Sequence, residues 1–167
     1  MTKTEKIAFS GLMAALALAL SYAEGLLPPL PMMPPGAKIG LSNIVNMFAA
    51  GAVGLPSALF IALIKGGFAF LTRGGMAGVL SVGGGLASTL AAWVLLKKTD
   101  ISYITTGILC AFCHNAAQLA AAFFITGAGT LAYLPSMVIF GTLAGILTGL
   151  VLKLVYRRLG RIWSKRL

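Results

Sequence analysis

A lysine stands near the middle of a strongly apolar stretch of this sequence. Lys65 lies within the run from Leu55 to Thr72, in a chain that is 59% hydrophobic and has only three acidic residues. A lysine near the centre of a bilayer costs roughly 2.5 to 3.5 kcal/mol on insertion scales, so it normally faces a protein interior or a water-filled cavity. Lys65 therefore predicts an enclosed polar site.

The single histidine stands in a polar cluster. His114 and Gln118 are one helical turn apart and Asn115 is adjacent, so we expect the three side chains to share a face near the middle of a helix. Imidazole and amide groups at that depth suit the orientation of a polar ligand. The alternative is that they form hydrogen bonds only within the core of the protein.

A second polar stripe is predicted on the helix that starts near residue 38. Lys38, Ser42 and Asn46 follow one another at i, i+4 and i+8, with Asn43 beside them. Small polar residues also join membrane helices without touching a ligand. A packing role for Asn43 and Asn46 therefore stays open.

Further charged residues lie at the predicted outer ends of the helices. Glu24 is near the end of the first helix, and Arg73 precedes the glycines of the second outer loop. The long side chains of Lys38 and Arg73 could also simply reach the membrane surface. If they face the cavity, Lys38, Lys65 and Arg73 predict an anionic ligand. Glu24 is then expected to hold one of the cations while the site is empty.

These side chains need a helical scaffold inside a membrane. Charged residues make up 10% of the chain and the mean hydropathy is +0.97, whereas soluble domains have about 25% charged residues. Most of the apolar segments approach the roughly 20 residues that cross a bilayer. We predict one all-α membrane domain over residues 1–167, with six transmembrane helices near residues 7–27, 38–54, 56–72, 76–96, 102–126 and 131–155.

Prolines dominate the first predicted loop. Five of the eight residues from Pro28 to Pro35 are proline, a composition that favours extended polyproline geometry. We expect either a preformed rim of the site or a stiff connector.

The net charge of +10 comes mainly from three basic clusters. These are Lys3 and Lys6; Lys97 and Lys98; and Lys153, Arg157, Arg158, Arg161, Lys165 and Arg166. With six spans, all three clusters lie on one face, which the positive-inside rule makes cytoplasmic. Both termini are therefore predicted to be cytoplasmic. The clusters are typical of anchors that touch anionic membrane lipid, and we expect no nucleic-acid partner.

The sequence lacks the clustered acidic residues and the phosphate loop that metal-dependent catalysis and ATP hydrolysis would need. Glu5, Glu24 and Asp100 are too scattered for a carboxylate pair or a magnesium-binding aspartate motif. Gly83-Gly84-Gly85 lacks the Lys-Ser/Thr that follows in a phosphate loop. In a membrane helix such a run indicates close approach of another backbone, or local unwinding beside the cavity. We expect a non-enzymatic protein without cofactor or metal.

Small residues line one face of the first predicted helix. Gly11, Ala15 and Ala19 are spaced four residues apart, which lets another helix pack at short range. Either a partner protein or another helix of the same chain could use this ridge.

Two motifs resemble the Gx transporter family, also labelled heptaprenyl diphosphate synthase component I, which is similar to the S components of energy-coupling factor (ECF) importers. They are Gly36-Ala37-Lys38-Ile39-Gly40-Leu41-Ser42-Asn43-Ile44 and His114-Asn115-x-x-Gln118. The resemblance covers essentially the whole chain and implies a six-helix S-component fold with ligand near the outer face. It also implies pairing with a transmembrane coupling subunit, which Ala15 and Ala19 would contact, and with two ATPases.

The leading hypothesis is therefore an S component in the bacterial cytoplasmic membrane that captures a small, anionic, vitamin-like or prenyl/quinone-related molecule. Its expected ligand-binding residues are Glu24, Lys38, Asn43, Asn46, Lys65, Arg73, His114, Asn115 and Gln118. The second hypothesis is an accessory membrane subunit in isoprenoid or quinone metabolism. The third is a subunit of an electron-transfer assembly, supported only by Cys110-x-x-Cys113-His114, which matches a haem-attachment pattern inside an apolar helix.

Overall fold

The chain is all-helical, without a strand, in the part that the computed structural model describes. That part is residues 2–28, 34–38 and 40–163, with side chains up to residue 158. The helices are α1 (Lys3–Leu26), α2 (Asn43–Ala52), α3 (Leu55–Arg73), α4 (Gly75–Lys98), α5 (Tyr103–Thr126) and α6 (Leu134–Trp163), with a 3-10 helix (Ala128–Tyr133) ahead of α6. The predicted all-α class is confirmed, and six α-helices form.

Sharp breaks between helices occur at glycines with positive φ. Gly54, with φ +126°, separates α2 from α3, and Gly74, with φ +91°, separates α3 from α4. Residues with a side chain rarely adopt such values, so glycine sets these helix ends. Pro56 in the first turn of α3 fits because that position needs no backbone N–H.

The second helix is shorter than predicted. It was expected over 38–54 but begins at Asn43, and Gly36 and Gly40 ahead of it have φ of +83° and +84°. These left-handed conformations end any helical path before residue 41. The stripe of Lys38, Ser42 and Asn46 on one helix is therefore wrong, because Lys38 lies in an unwound segment.

This difference affects the number of membrane spans. Five helical segments of the described residues are long and apolar enough to cross a membrane. They are α1, α3, α4, α5, and the 3-10 helix together with α6. The chain is thus a multi-pass membrane protein. The ten residues of α2 extend only about 15 Å, half of a bilayer core of about 30 Å. A sixth transmembrane helix is not confirmed.

The short α2 lies at the centre of the bundle. It packs against α1, α3, α4 and α6, whereas the long helices pair in chain order, α3 with α4, α4 with α5 and α5 with α6. Val45, Met47 and Phe48 are buried on it. Phe48 packs against Phe9 and Tyr156. The buried side chains of Val45, Met47 and Phe48 on α2 are therefore part of the apolar core of the bundle.

Glycines bring α5 and α6 into backbone contact. A Cβ atom at Gly145 would lie 2.5 Å from Cα of Ile108, and one at Gly149 would lie 2.6 Å from Cα of Ile104. Gly107 on α5 faces Gly145 and Gly149 in the same way. Small residues at this spacing allow helices in a membrane to pack closely, so this pair forms a rigid side of the bundle.

The two ends of the bundle differ in charge. Glu24, Lys38 and Arg73 lie at one end, which we call the cavity end. The other end, which we call the basic end, contains the starts of α1 and α5 and the ends of α2, α4 and α6. The aromatic rings of Phe9, Phe48, Tyr103 and Tyr156 are in contact there. The predicted basic clusters at the start of α1, the end of α4 and the end of α6 thus share one end of the bundle.

Parts of two predictions lie outside the described residues. Pro29 and Pro31 of the proline-rich loop are among them, as are Lys165 and Arg166 and the side chain of Arg161 in the basic tail.

Candidate functional site

A polar cavity lies among α1, α3, α4, α5 and the segment that precedes α2. It is lined by Ser21, Glu24, Gly36, Lys38, Gly40, Ser42, Lys65, Arg73, Ser81, His114 and Gln118. Its volume is about 260 Å³ including the mouth, and its enclosed part has room for about one water molecule. Ligand pockets for drug-sized molecules hold about 300 to 1,000 Å³, far more than this enclosed part.

Six of the nine predicted ligand-binding residues line this cavity, although they come from distant parts of the sequence. They are Glu24, Lys38, Lys65, Arg73, His114 and Gln118. A seventh, Asn43, bonds directly to two of them. Lys65 is only 2% exposed. The prediction that Lys65 faces an enclosed polar site agrees with this geometry.

The carboxylate of Glu24 binds backbone. Its Oε1 accepts hydrogen bonds from the N–H groups of Gly40 at 2.6 Å and Leu41 at 3.2 Å, and its Oε2 accepts one from the hydroxyl of Ser42 at 3.5 Å. Unwound backbone inside a membrane protein needs such partners. Glu24 thus holds the backbone just ahead of α2; its expected role in holding a cation stays a prediction.

A hydrogen-bonded chain links α3, α2 and α5. The ammonium of Lys65 donates to Oδ1 of Asn43, and Nδ2 of Asn43 lies 2.8 Å from Nδ1 of His114. Asn43 and His114 are also buried, at 5% and 3% exposed. The burial of Lys65 is thus compensated in part by an amide oxygen, and Asn43 joins the cation to the imidazole.

Two further cations border the mouth of the cavity. The ammonium of Lys38 donates to the carbonyl oxygen of Ser21 at 3.1 Å, and Arg73 ends α3 beside it. The pKa of Lys38 is lowered from 10.5 to about 8, mainly because burial removes water from the ammonium and also because Arg73 repels it, while Glu24 opposes the shift. Positive charge is therefore concentrated in a small volume.

Glycines make room for these side chains. A Cβ atom at Gly84 on α4 would lie 2.6 Å from both Nδ1 and Cε1 of His114. One at Gly40 would lie 2.7 Å from Nδ2 of Asn43 and 3.0 Å from Nε2 of His114. The expected unwinding at Gly83-Gly84-Gly85 is wrong, because α4 is continuous there; Gly84 instead accommodates an imidazole ring.

Two predicted site residues lie apart from the cavity. Asn115 donates from Nδ2 to the carbonyl oxygen of Met137 on α6 at 2.7 Å, so it joins two helices. Asn46 is fully buried one turn below Asn43. Neither amide atom of Asn46 has a hydrogen-bond partner among the described residues.

Some cavity residues were not singled out from the sequence. Ser21 and Ser81 line the cavity, yet serine is common in membrane helices and carries no distinctive signal. Gly36 and Gly40 could have been recognised as breaks in the helix, since both stand close to prolines and to the polar residues of α2.

The small-residue ridge of α1 lies on the surface of the bundle. Gly11, Ala15 and Ala19 are exposed, and no atom lies within 4 Å of a Cβ built at Gly11. Among the described residues, the other helices do not cover this ridge, whereas Ala14 and Ala17 face inward and are buried.

The side chains of Cys110, Cys113 and His114 face different surroundings. Cys110 is buried and Cys113 is exposed, while His114 faces the cavity. Within residues 2–28, 34–38 and 40–158, no group of three or more His, Cys, Asp or Glu side chains could hold a metal ion.

Comparisons with known proteins place this geometry in context. The family model described as heptaprenyl diphosphate synthase component I matches residues 13–155. No curated protein matches the chain. A solved structure, reported as "Structure and mechanism of the S component of a bacterial ECF transporter", is similar over 97% of this chain and 99% of its own, with a TM-score of 0.76 and 20% sequence identity. The predicted S-component-like fold is confirmed.

Proposed function

Because the chain belongs to the heptaprenyl diphosphate synthase component I family and has the fold of an S component, we propose that it is the substrate-binding membrane subunit of an ECF-type importer. Its cargo is a small anionic molecule, vitamin-like or related to prenyl or quinone compounds. The protein itself is not an enzyme and carries no cofactor.

One observation carries this proposal. The side chains that line the cavity include three cations, Lys38, Lys65 and Arg73, and one carboxylate, Glu24, and the carboxylate is engaged by the backbone of Gly40 and Leu41. A lysine buried in the middle of an apolar helix is unfavourable, and the packing of the helices does not need a charged residue there. A bound anion offsets that cost, so the site is suited to an anionic cargo.

The proposed orientation follows from the charge at the two ends. The basic end carries Lys3, Lys97 and Lys153, which favours the cytoplasmic side of a bacterial membrane by the positive-inside rule. Both termini are then cytoplasmic, and anionic lipid contacts the basic end. The unwound segment before α2 and α2 itself together complete a sixth crossing, and the cavity opens outward.

The exposed ridge of Gly11, Ala15 and Ala19 is the proposed docking surface for a transmembrane coupling subunit, which in turn binds ATPase subunits. Small residues let a partner helix approach closely. Since the chain has no phosphate loop of its own, ATP hydrolysis is supplied by these partners.

Affinity purification from native membranes in mild detergent tests the proposal. The parent should bring down a coupling subunit, ATPases with a Walker A motif and the bound cargo. A variant with Ala15→Trp and Ala19→Trp should lose the proteins and keep the cargo. The control, Leu143→Trp, alters a 60% exposed position on α6 and should behave as the parent. Absence of ATPases from the parent sample would contradict the importer.

A role as an accessory subunit for isoprenoid synthesis is the second candidate, since the family description names a synthase component. The cations of the cavity would then hold a diphosphate head. Prenyl-synthase activity that appears only when this chain is added to a soluble partner would establish that role.

A further inference from the structure

We infer that His114 is held as the neutral tautomer with its proton on Nε2, and that this N–H donates to a carboxylate or phosphate oxygen of the cargo. The tautomer follows from the hydrogen bonds that join Lys65, Asn43 and His114, while the carbonyl oxygen of Gly84 is the competing acceptor for an imidazole N–H. The contact with the cargo rests, in addition, on the proposed function.

The argument begins at Lys65. An ammonium group has three donors and no acceptor, so the atom of Asn43 that contacts it is the amide oxygen, Oδ1. The opposite side of that amide is therefore the NH₂ group, which has only donors. Because Lys65 fixes the amide orientation, Nδ2 of Asn43 faces the ring of His114.

The same reasoning carries to the imidazole. Nδ2 of Asn43 lies 2.8 Å from Nδ1 of His114, and a donor at that distance requires Nδ1 to accept. An Nδ1 that accepts carries no proton, which excludes the imidazolium. The neutral ring then has its proton on Nε2.

This Nε2–H group is directed to the cavity. Nε2 of His114 is buried and has no hydrogen-bond partner within the described part of the chain, although His114 lines the cavity. It lies against Gly40, where an added Cβ would be 3.0 Å away. A buried donor without an acceptor is unfavourable, so a bound group with an acceptor is expected there.

The neighbouring groups define that acceptor further. Lys38, Lys65 and Arg73 present only donors to the same cavity. A group that accepts from the imidazole and balances these charges is an oxyanion, such as a carboxylate or a phosphate. An amine in its place would meet three cations and the single carboxylate of Glu24.

Nuclear magnetic resonance of protein labelled with ¹⁵N-histidine tests the tautomer, because the chain has a single histidine. At neutral pH in detergent, the ¹⁵N shifts of the parent should show a protonated Nε2 and an unprotonated Nδ1. A protonated Nδ1, or an imidazolium, in the parent would overturn the inference.

Variants test the chain of hydrogen bonds. Asn43→Asp replaces the NH₂ group by a second acceptor, so the proton should move to Nδ1. Thr142→Ala alters an exposed hydroxyl of α6 that bonds to the carbonyl oxygen of Val138 and should leave the proton on Nε2. If Asn43→Asp keeps the parent spectrum, Asn43 does not set the tautomer.

Inorganic phosphate and sodium acetate test the contact with an oxyanion. Titration of either salt should shift the Nε2 signal, whereas sodium chloride at equal ionic strength should not. The salt that acts at the lower concentration distinguishes phosphate from carboxylate. An unchanged Nε2 signal with both salts would overturn the oxyanion contact. Absence of a copurifying ATPase would bear on the proposed function only.

Discussion

Oε1 of Glu24 accepts the backbone N–H of Gly40 at 2.6 Å, so a side chain of α1 caps the unwound segment that leads into α2. The next N–H, of Leu41, reaches the same oxygen at 3.2 Å. These bonds explain how a charged residue that is 8% exposed serves the fold. Glu24 thus has a structural contact with the backbone, while it lines the same cavity as the three cations.

Replacing Glu24 with Ala should therefore destabilise the protein. The buried N–H of Gly40 and the partly buried N–H of Leu41 lose their acceptor, and a buried N–H without a partner costs about 1 to 3 kcal/mol. Thermal unfolding in detergent should occur at a lower temperature for Glu24→Ala than for the parent, and Glu24→Gln, which keeps one acceptor, should fall between them.

Glu5 provides the matched control for this change. Its carboxylate accepts from the backbone of Thr2 in an exposed capping box, which contributes about 1 kcal/mol or less. Equal unfolding temperatures for Glu24→Ala and Glu5→Ala would show that the cap on α2 contributes little.

Gly84→Ala should weaken cargo binding by displacing the imidazole. The added methyl group would lie 2.6 Å from Nδ1 of His114, so the ring has to leave its contact with Asn43. We expect at least a tenfold loss of affinity, measured by calorimetry with the copurified cargo. Gly83→Ala is the control, since its nearest neighbour, the carbonyl oxygen of Ala117, is 3.9 Å away. Equal affinities for the two variants would remove His114 from the site.

Lys65→Met should abolish cargo binding and leave the fold intact. Loss of a buried charge that contacts an anion costs about 2 kcal/mol or more, roughly thirtyfold in affinity. The apolar methionine suits the interior, although Oδ1 of Asn43 loses its donor. Mass spectrometry of the cargo that copurifies with Lys65→Met measures the loss, and circular dichroism checks the helices. Lys97→Met at the basic end should retain the cargo; parent-like cargo content in Lys65→Met would exclude this lysine from binding.

Binding should weaken above about pH 8 because of Lys38. The pKa of Lys38 is about 8, so the ammonium is charged below that pH and becomes neutral as the pH rises through it. A neutral amine no longer attracts an anion, and affinity falls as a result. A titration series between pH 6.5 and about 9.5, the range around that pKa, measures the effect.

Lys38→Arg is the control for this pH dependence, because the guanidinium stays charged over the whole series. Its affinity should decline less between neutral and alkaline pH than that of the parent. Parallel curves for the two proteins would show that another group is responsible.

The sequence was most informative about the long helices. Apolar length and glycine breaks predicted α1, α3, α4 and α5 to within four residues at each end, whereas α6 continues to Trp163, eight residues beyond its predicted end at residue 155. The sequence failed at the start of α2, because the polar spacing of Lys38, Ser42 and Asn46 fits a helix and only the backbone angles of Gly36 and Gly40 decide against it. The spacing of polar residues alone does not predict these backbone angles.

The site was predicted in part for a similar reason. Helical spacing put His114 and Gln118 on one face, and both line the cavity. Asn115 is one residue further along and turns by about 100°, which directs it to Met137 on α6. Which neighbour an adjacent residue meets depends on how helices pack, and that information is not local in the sequence.

The narrowness of the cavity has a kinetic consequence. Its enclosed part accepts about one water molecule, so cargo cannot enter a ready-made pocket. We expect the long side chains of Lys38 and Arg73, which line the cavity, to move before cargo enters. Association then proceeds in two steps, and the observed rate should reach a plateau as cargo concentration rises. The residence time of the cargo would then govern how much of the protein is occupied. This suits a carrier that holds its cargo until the coupling subunit and ATPases act.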